Sequence, residues 1–269
     1  RPIYSKIFTP NMLRDPQEFF KRIHHYCNSF PEMLPEKYGF WEPLKIPFSP
    51  DIIEKLIPND RGGAADRLLC QRLKKPRYQG SFWPSLHGET HSEEYLTSEF
   101  TQIDQHKLIN YLKTTTLQFN ADLAIIDANR HSEPQLGIKE GWRGVTPFSY
   151  ELKHWLPDMY WGTVFGKPYV DLFGLECLLS TPAYKVEKLS DDAVYIQLTE
   201  QVQDIFEKTE HVDEQREIVK HHLGTDAFWS PEKAYVINTD YRVLKGLSEH
   251  NVINIPLQTN YTDVFRVPH

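Results

Sequence analysis

Residues 155–199 read WLPDMYWGTVFGKPYVDLFGLECLLSTPAYKVEKLSDDAVYIQLT, and the last third of this stretch carries the clearest structural signal in the chain. Tyr184, Val186, Val194, Ile196 and Leu198 alternate with Lys185, Glu187, Tyr195 and Gln197, the period-two pattern of half-buried strands. Ser190-Asp191-Asp192 separates the two runs without an apolar residue, which predicts an antiparallel hairpin. Upstream, Met159–Phe165 is aromatic and β-branched and reads as a third strand, interrupted at Gly162, where a bulge or a close neighbouring backbone is expected. Gly166-Lys167-Pro168 closes that strand and opens a short helical piece with Pro168 in its first turn. Tyr169, Leu172 and Phe173 lie on its inner face, and Gly174 is placed to end it. All of these signals are structural, and none is a catalytic motif.

Working outward, a helix is predicted after Asp15, with Pro16 at its first position and Glu18 completing a capping-box-like start. Phe19, Phe20, Ile23, Tyr26, Cys27 and Phe30 form its apolar stripe, and Pro31 bars continuation. The Pro- and aromatic-rich run PEKYGFWEPLKIPFSP (35–50) reads as irregular structure over the core. Ser49 is a candidate cap for a short helix burying Ile52, Ile53, Leu56 and Ile57. Between residues 59 and 100, Gly80, Pro84 and Gly88 cut the chain into pieces that suit a strand meander. A second long helix spans Gln102–Asn120, capped by Asp104, with Leu108, Ile109, Leu112 and Phe119 buried and Asn120 at its left-handed end. Ala121–Ala128 reads as a central strand, 131–146 as a long Gly-rich loop, and Ala234–Asn238 and Val252–Ile255 as short strands. A third long helix begins at Thr209 and ends at Gly224, with Val212, Val219 and Leu223 on its apolar face. Together these elements predict an α+β fold with a mainly antiparallel sheet.

At 269 residues, with 40% hydrophobic and 13% aromatic side chains, the chain is a folded globule. It reads as one α+β domain over 1–269, with a division into halves 1–100 and 101–269 as the alternative. No apolar run approaches the roughly 18 residues of a membrane span, and no signal peptide is visible. Cys27, Cys70 and Cys177 are odd in number and widely spaced, which argues against a disulfide framework and for a reducing cytoplasm. A net charge of −7 disfavours nucleic acid and is compatible with a basic protein partner, although modest acidity is ordinary in soluble proteins.

The most metal-like constellation is His87-Gly88-Glu89-Thr90-His91-Ser92-Glu93, whose four ligand-type side chains would share one strand face. Neighbours on such a face stand about 7 Å apart, too far for three to share one ion easily, so a solvated strand face is the plainer reading. The adjacent pairs His24-His25 and His221-His222 sit on helices and diverge by about 100°. The chain has no G-x-S-x-G, phosphate loop, dinucleotide fingerprint or C-x-x-C. Asp122 and Asp127 point to opposite faces of their strand, so they make no acid–base pair; hydrogen bonding of Asp127 to loop backbone is the expectation. Cys27 lies within an apolar stripe and reads as a core thiol. Trp142, Tyr160, Trp155 and Trp161 read as core packing, with an aromatic pocket as the alternative. On the third long helix, Glu210, Asp213, Glu214 and Glu217 line the side opposite the apolar stripe. They are either a solvated face or a steering surface for a basic partner.

The segments LRDPQEFFKRI (13–23), PEKYGFWEPL (35–44), FNADLAIID (119–127), the WG at 161–162, the LLS at 178–180 and VYIQLTE (194–200) follow one layout. Over about residues 13–224 that layout resembles bacterial polymorphic-toxin immunity proteins, most closely the immunity protein 52 group. The matching positions are Tyr38, Trp41, Glu42, Pro43, Asp122, Trp161, Gly162 and Leu179. The 131–146 loop and the tail after Gly224 depart from it. The resemblance implies a cytoplasmic, non-catalytic protein without cofactor or metal that binds and neutralises a cognate toxin. The alternatives are a hydrolase with an unfamiliar site around His87–Glu93 and Asp127, and an interaction subunit of a bacterial defence system.

Overall fold

A computed structural model describes residues 2–10, 16–49, 67–83, 91–99, 101–128, 152 and 156–228. Its strands are β1 (Pro2–Thr9), β2 (Lys37–Gly39), β3 (Ile46–Pro47), β4 (Leu68–Arg72), β5 (Tyr78–Trp83), β6 (Ser92–Glu99), β7 (Leu123–Ala128), β8 (Gly162–Phe165), β9 (Lys185–Ser190) and β10 (Ala193–Gln197). Its helices are α1 (Pro16–Ser29), α2 (Gln105–Phe119), α3 (Lys167–Phe173), α4 (Leu175–Leu179), α5 (Asp204–Glu207) and α6 (Thr209–Leu223). The strands form one sheet in the order β3-β2-β4-β5-β6-β1-β7-β8-β10-β9, with every pairing antiparallel. The fold is α+β, as the sequence pattern predicts.

β1 joins the two meanders. Its Tyr4 lies opposite Thr97 of β6 on one side and Asp127 of β7 on the other, while Ile7 lies between Glu94 and Ala124. Because Tyr4 and Ile7 are three residues apart, Glu94 and Asp127 face opposite sides of the sheet. α1 and α2 cover the Glu94 side, through Arg22 and Tyr111. α3 and α6 cover the Asp127 side, through the packing of the Tyr169 and Phe173 rings, tilted and edge-on, against Phe165 and through Arg216. Every residue of β7, β8 and β10 is therefore buried, and these strands read as apolar runs because they have helices on both faces.

The hairpin of β9 and β10 forms around the predicted turn, but half-burial is corrected in β10. Tyr195 and Gln197 are as enclosed as Ile196, and they satisfy their polar ends locally: the Tyr195 hydroxyl donates to Gln197 Oε1 at 2.8 Å, and Gln197 Nε2 donates to Thr199 O at 2.8 Å. Met159–Trp161 is not strand; the Met159 carbonyl accepts from Arg216 and the Tyr160 carbonyl from the Thr163 hydroxyl at 3.3 Å, so β8 begins only at Gly162. The close backbone approach expected at Gly162 occurs at Gly166. A Cβ there would stand 2.2 Å from Ala121 O and 2.9 Å from Asp122 Cα, and the Gly166 N–H donates to Asp122 O at 2.9 Å. The 35–50 run also departs from expectation, because β2 and β3 within it extend the sheet; strands of three and two residues are too short to show a period.

The other helical and strand predictions hold in the described residues. Asp104 caps α2 by accepting from the N–H groups of His106 and Lys107, and Asn120 closes it at φ 51°. Phe19, Ile23, Tyr26, Cys27 and Phe30 are buried, and β4, β5 and β6 make the predicted meander. The Asp15 cap, the helix after Ser49, the 131–146 loop, Trp142, Trp155, and the strands at 234–238 and 252–255 lie outside the described residues. Among the described residues, no helix is long and apolar enough to cross a membrane.

Candidate functional site

α6 carries the predicted acidic face, and its inner side explains how that face is held. Val212, Arg216, Val219 and Leu223 are buried, at the spacing of one helical stripe. Arg216 reaches the sheet and grips Asp127 with both terminal nitrogens, Nη1 to Oδ2 at 2.8 Å and Nη2 to Oδ1 at 2.9 Å. Nη1 also donates to the Met159 carbonyl. Burial opposes the guanidinium charge, but Asp127, Asp158 and Asp213 more than offset it and hold the group above its ordinary value. Asp127 therefore fastens a helix; besides Arg216, its Oδ1 accepts from the Ala128 N–H at 2.8 Å. Arg216 was hidden in the sequence, since a charged residue within an apolar stripe reads as an interruption. The spacing 212, 216, 219, 223 was the signal that could have found it.

On the outer side, Glu210, Glu214 and Glu217 are exposed, as are His211, Ile218, His221 and His222. Asp213 lies 3.6 Å from Arg216 Nε, and Glu217 pairs with Lys220, which also reaches Asp158 at 3.2 Å. The four predicted acids do share one side of the helix. Two of them are partly balanced by neighbouring cations, so Glu210 and Glu214 dominate the outward charge. Gly224, at φ 102°, ends the helix and donates to Lys220 O.

Among the described residues, the hydrolase candidates do not converge. His91 is fully buried, its Nε2 3.1 Å from Asp122 Oδ2 and its ring edge-on to Phe8. Burial raises the Asp122 carboxyl above its usual range, and the bond from His91 opposes that rise. Glu93 pairs with the nearly buried Lys6 at 2.7 Å. A solvated strand face is thus corrected for His91, which Phe8 and Asp122 enclose, and for Glu93, which Lys6 of β1 holds; His87 and Glu89 lie outside the described residues. Asp122 and Asp127 sit at opposite ends of β7, five residues or about 17 Å apart along the strand. Among the described residues, no three His, Cys, Asp or Glu side chains gather as a metal site.

Other reactive groups among the described residues are held by burial or by local partners. Burial pushes the Cys27 thiol up to about 11. Cys177 Sγ is 3.8 Å from His222 Nε2, but that nitrogen is 2.9 Å from the Cys177 carbonyl and so carries the proton it donates there. On the other face of the sheet, Arg22 Nη2 and the Tyr111 hydroxyl both bind the Glu94 carboxylate, and Arg22 lies 4.8 Å over the Phe119 ring. Trp161 is core, its indole N–H donating to Thr199 Oγ1 at 2.9 Å, and Tyr160 is core beside it.

No protein-family model matches the chain, and no curated protein matches it. Among solved structures, the chain is similar to the Pseudomonas aeruginosa T6SS protein PA0821, with a TM-score of 0.50 at 9% identity, over 82% of this chain and 72% of that one. At that identity the similarity is one of fold.

Proposed function

We propose that this chain is a non-catalytic, cytoplasmic immunity protein that binds a cognate bacterial toxin and blocks its action. The observation that carries this reading is the outer face of α6. Glu210 and Glu214 are displayed, with Asp213 and Glu217 beside them, on a helix locked to the sheet by the Arg216–Asp127 pair. Such a face is pre-organised, so little ordering is lost on binding, and its charge speeds encounter with a basic partner more than it deepens affinity. The fold likeness to a T6SS protein is compatible with a toxin-system setting. A hydrolase built on Asp127 would need that carboxylate to reach substrate, whereas it is fully buried and bound through both oxygens.

The test is co-expression with the toxin encoded beside the gene for this chain, followed by measurement of growth and of complex formation with the purified pair. Growth restored by a stoichiometric complex is the expected result. A neighbouring toxin that neither binds nor is neutralised would reject the reading. Within the complex, reversing Glu210 and Glu214 to Lys should slow association several-fold at low salt and leave the melting temperature close to wild type.

A further inference from the structure

α2 and the open end of the β9–β10 hairpin enclose a cleft of about 330 Å³, within the range of small-molecule sites. One wall is α2, whose His106, Ile109, Asn110 and Lys113 fall at the spacing of a single helix face. Seven residues of helix rise about 10 Å, which sets the length of the cleft. On the other wall Lys185 lies opposite Gln197, with Tyr184 just before β9 and Glu200 and Gln201 after β10.

The two walls are clamped to each other at both ends. At the start of α2, the Gln105 side chain accepts from the Val202 N–H at 3.0 Å and donates to Glu200 O at 3.2 Å. At the far end, Lys113 Nζ lies 2.7 Å from the Glu187 carboxylate of β9 and 4.3 Å over the Tyr195 ring. Behind the wall, Gln197 Nε2 donates to Thr199 O and Glu200 O at 2.8 and 3.0 Å, which fixes the segment after β10. The cleft is thus pre-formed, and little ordering accompanies binding.

Its charges cancel. Lys113 and Lys185 share the Glu187 carboxylate, at 2.7 and 3.1 Å, and Glu200 supplies a second negative charge. An anion would have to displace Glu187 from both lysines, and a cation would meet those lysines, so an uncharged ligand fits best. A nucleotide is disfavoured on the same ground, since its phosphate would face Glu187 and Glu200. The uncommitted groups suit hydroxyls. Among the described residues, the Asn110 and Gln201 amides and the Tyr184 hydroxyl make no hydrogen bond; each both donates and accepts, as a sugar hydroxyl does. The Tyr184 ring is 55% exposed and Ile109 adds apolar surface, so the cleft also offers a platform for the C–H face of a sugar ring.

We propose that the cleft between α2 and the β9–β10 hairpin binds an uncharged carbohydrate of one or two rings, with Tyr184 as the stacking platform and Asn110 and Gln201 as the hydroxyl-binding amides. α2 and α6 lie on opposite faces of the sheet, so this site is separate from the acidic face and stands whether or not the toxin reading does.

The test screens the purified full chain against neutral mono- and disaccharides by saturation-transfer NMR at millimolar sugar, and measures the affinity of those that bind by calorimetry. The expected result is binding of neutral sugars that is indifferent to salt. Affinity should fall about tenfold in Tyr184→Ala and several-fold in Asn110→Ala, and should stay close to wild type in Tyr184→Phe, which keeps the ring. It should be unchanged in Leu117→Ala, exposed on α2 outside the cleft, and in the Glu210→Lys/Glu214→Lys variant of α6. Tyr184 and Asn110 are exposed, so their variants should melt with wild type, which separates lost binding from lost fold. No transfer to any neutral sugar, or binding indifferent to Tyr184→Ala, would overturn the proposal. So would Tyr184-dependent binding confined to charged sugars, to nucleotides or to a peptide.

Discussion

Arg216 and Asp127 are 89 positions apart in sequence and meet inside the protein, with side-chain exposures of 3% and 0%. A buried pair of this kind gains little over an apolar pair of equal volume, yet removing one partner strands the other charge without water. Arg216→Ala should therefore cost about 3–5 kcal/mol in a urea titration. Arg216→Met combined with Asp127→Leu should recover most of that loss; a double variant as unstable as the single one would refute this account. At the opposite face, His25 stacks on Tyr111, and burial together with nearby Arg22 lowers it from 6.5 to about 4. Between those values the unfolded chain takes up a proton that the folded chain refuses, so this site's contribution is complete above pH 6.5 and is lost as pH falls towards 4. The drop in urea midpoint from pH 7 to pH 4.5 should be smaller in His25→Gln than in wild type. Equal drops would show that His25 titrates alike in both states.

Elements were legible in the sequence where their own pattern carried them, and illegible where a distant segment decided. Gly166 shows the second case: its local sequence marks only the end of a strand, yet of the two glycines it alone would bring a Cβ against the backbone of 121–122, 2.2 Å from Ala121 O. Gly166→Ala must push β8 away from the start of β7, and since backbone atoms resist the move, a loss of about 1–3 kcal/mol is expected. Gly162→Ala meets only ordinary contacts at 3.5 Å and beyond, so its steric cost should be smaller. Thermal melting of the two variants, ranked in the reverse order, would contradict the geometry. The long helices and the β9–β10 turn were readable because caps and apolar spacing are local signals. The two-sided burial of β10 was not, because it depends on α2 on one face and on α3 on the other. Arg22 and Arg216 escaped for the same reason: each interrupts an apolar stripe, and each finds its carboxylate more than 70 positions away. The acidic positions of α6 were legible as a face, but their partial neutralisation by Arg216 and Lys220 was not.

At the scale of the molecule, the question left by composition was whether 269 residues make one domain or two halves meeting near residue 100. β1 belongs to the first hundred residues, yet it lies in the middle of the sheet and pairs with β6 over eight positions and with β7 over six. The Glu94 network ties α1 and α2 across the same boundary, since Arg22 and Tyr111 bind one carboxylate. A boundary crossed by a central strand and a buried hydrogen bond from Tyr111 to Glu94 cannot open without exposing β1 along its length, so the two halves should unfold together. Phe82→Ala in β5 and Ile196→Ala in β10 test this from opposite sides of β1. Both side chains are buried, and each truncation should cost about 2–5 kcal/mol. Each should lower one common transition, followed coincidently by far-ultraviolet circular dichroism and tryptophan fluorescence. If Phe82→Ala shifts an early transition while Ile196→Ala shifts a separate later one, β1 fails to couple the halves and the chain is two domains sharing a strand.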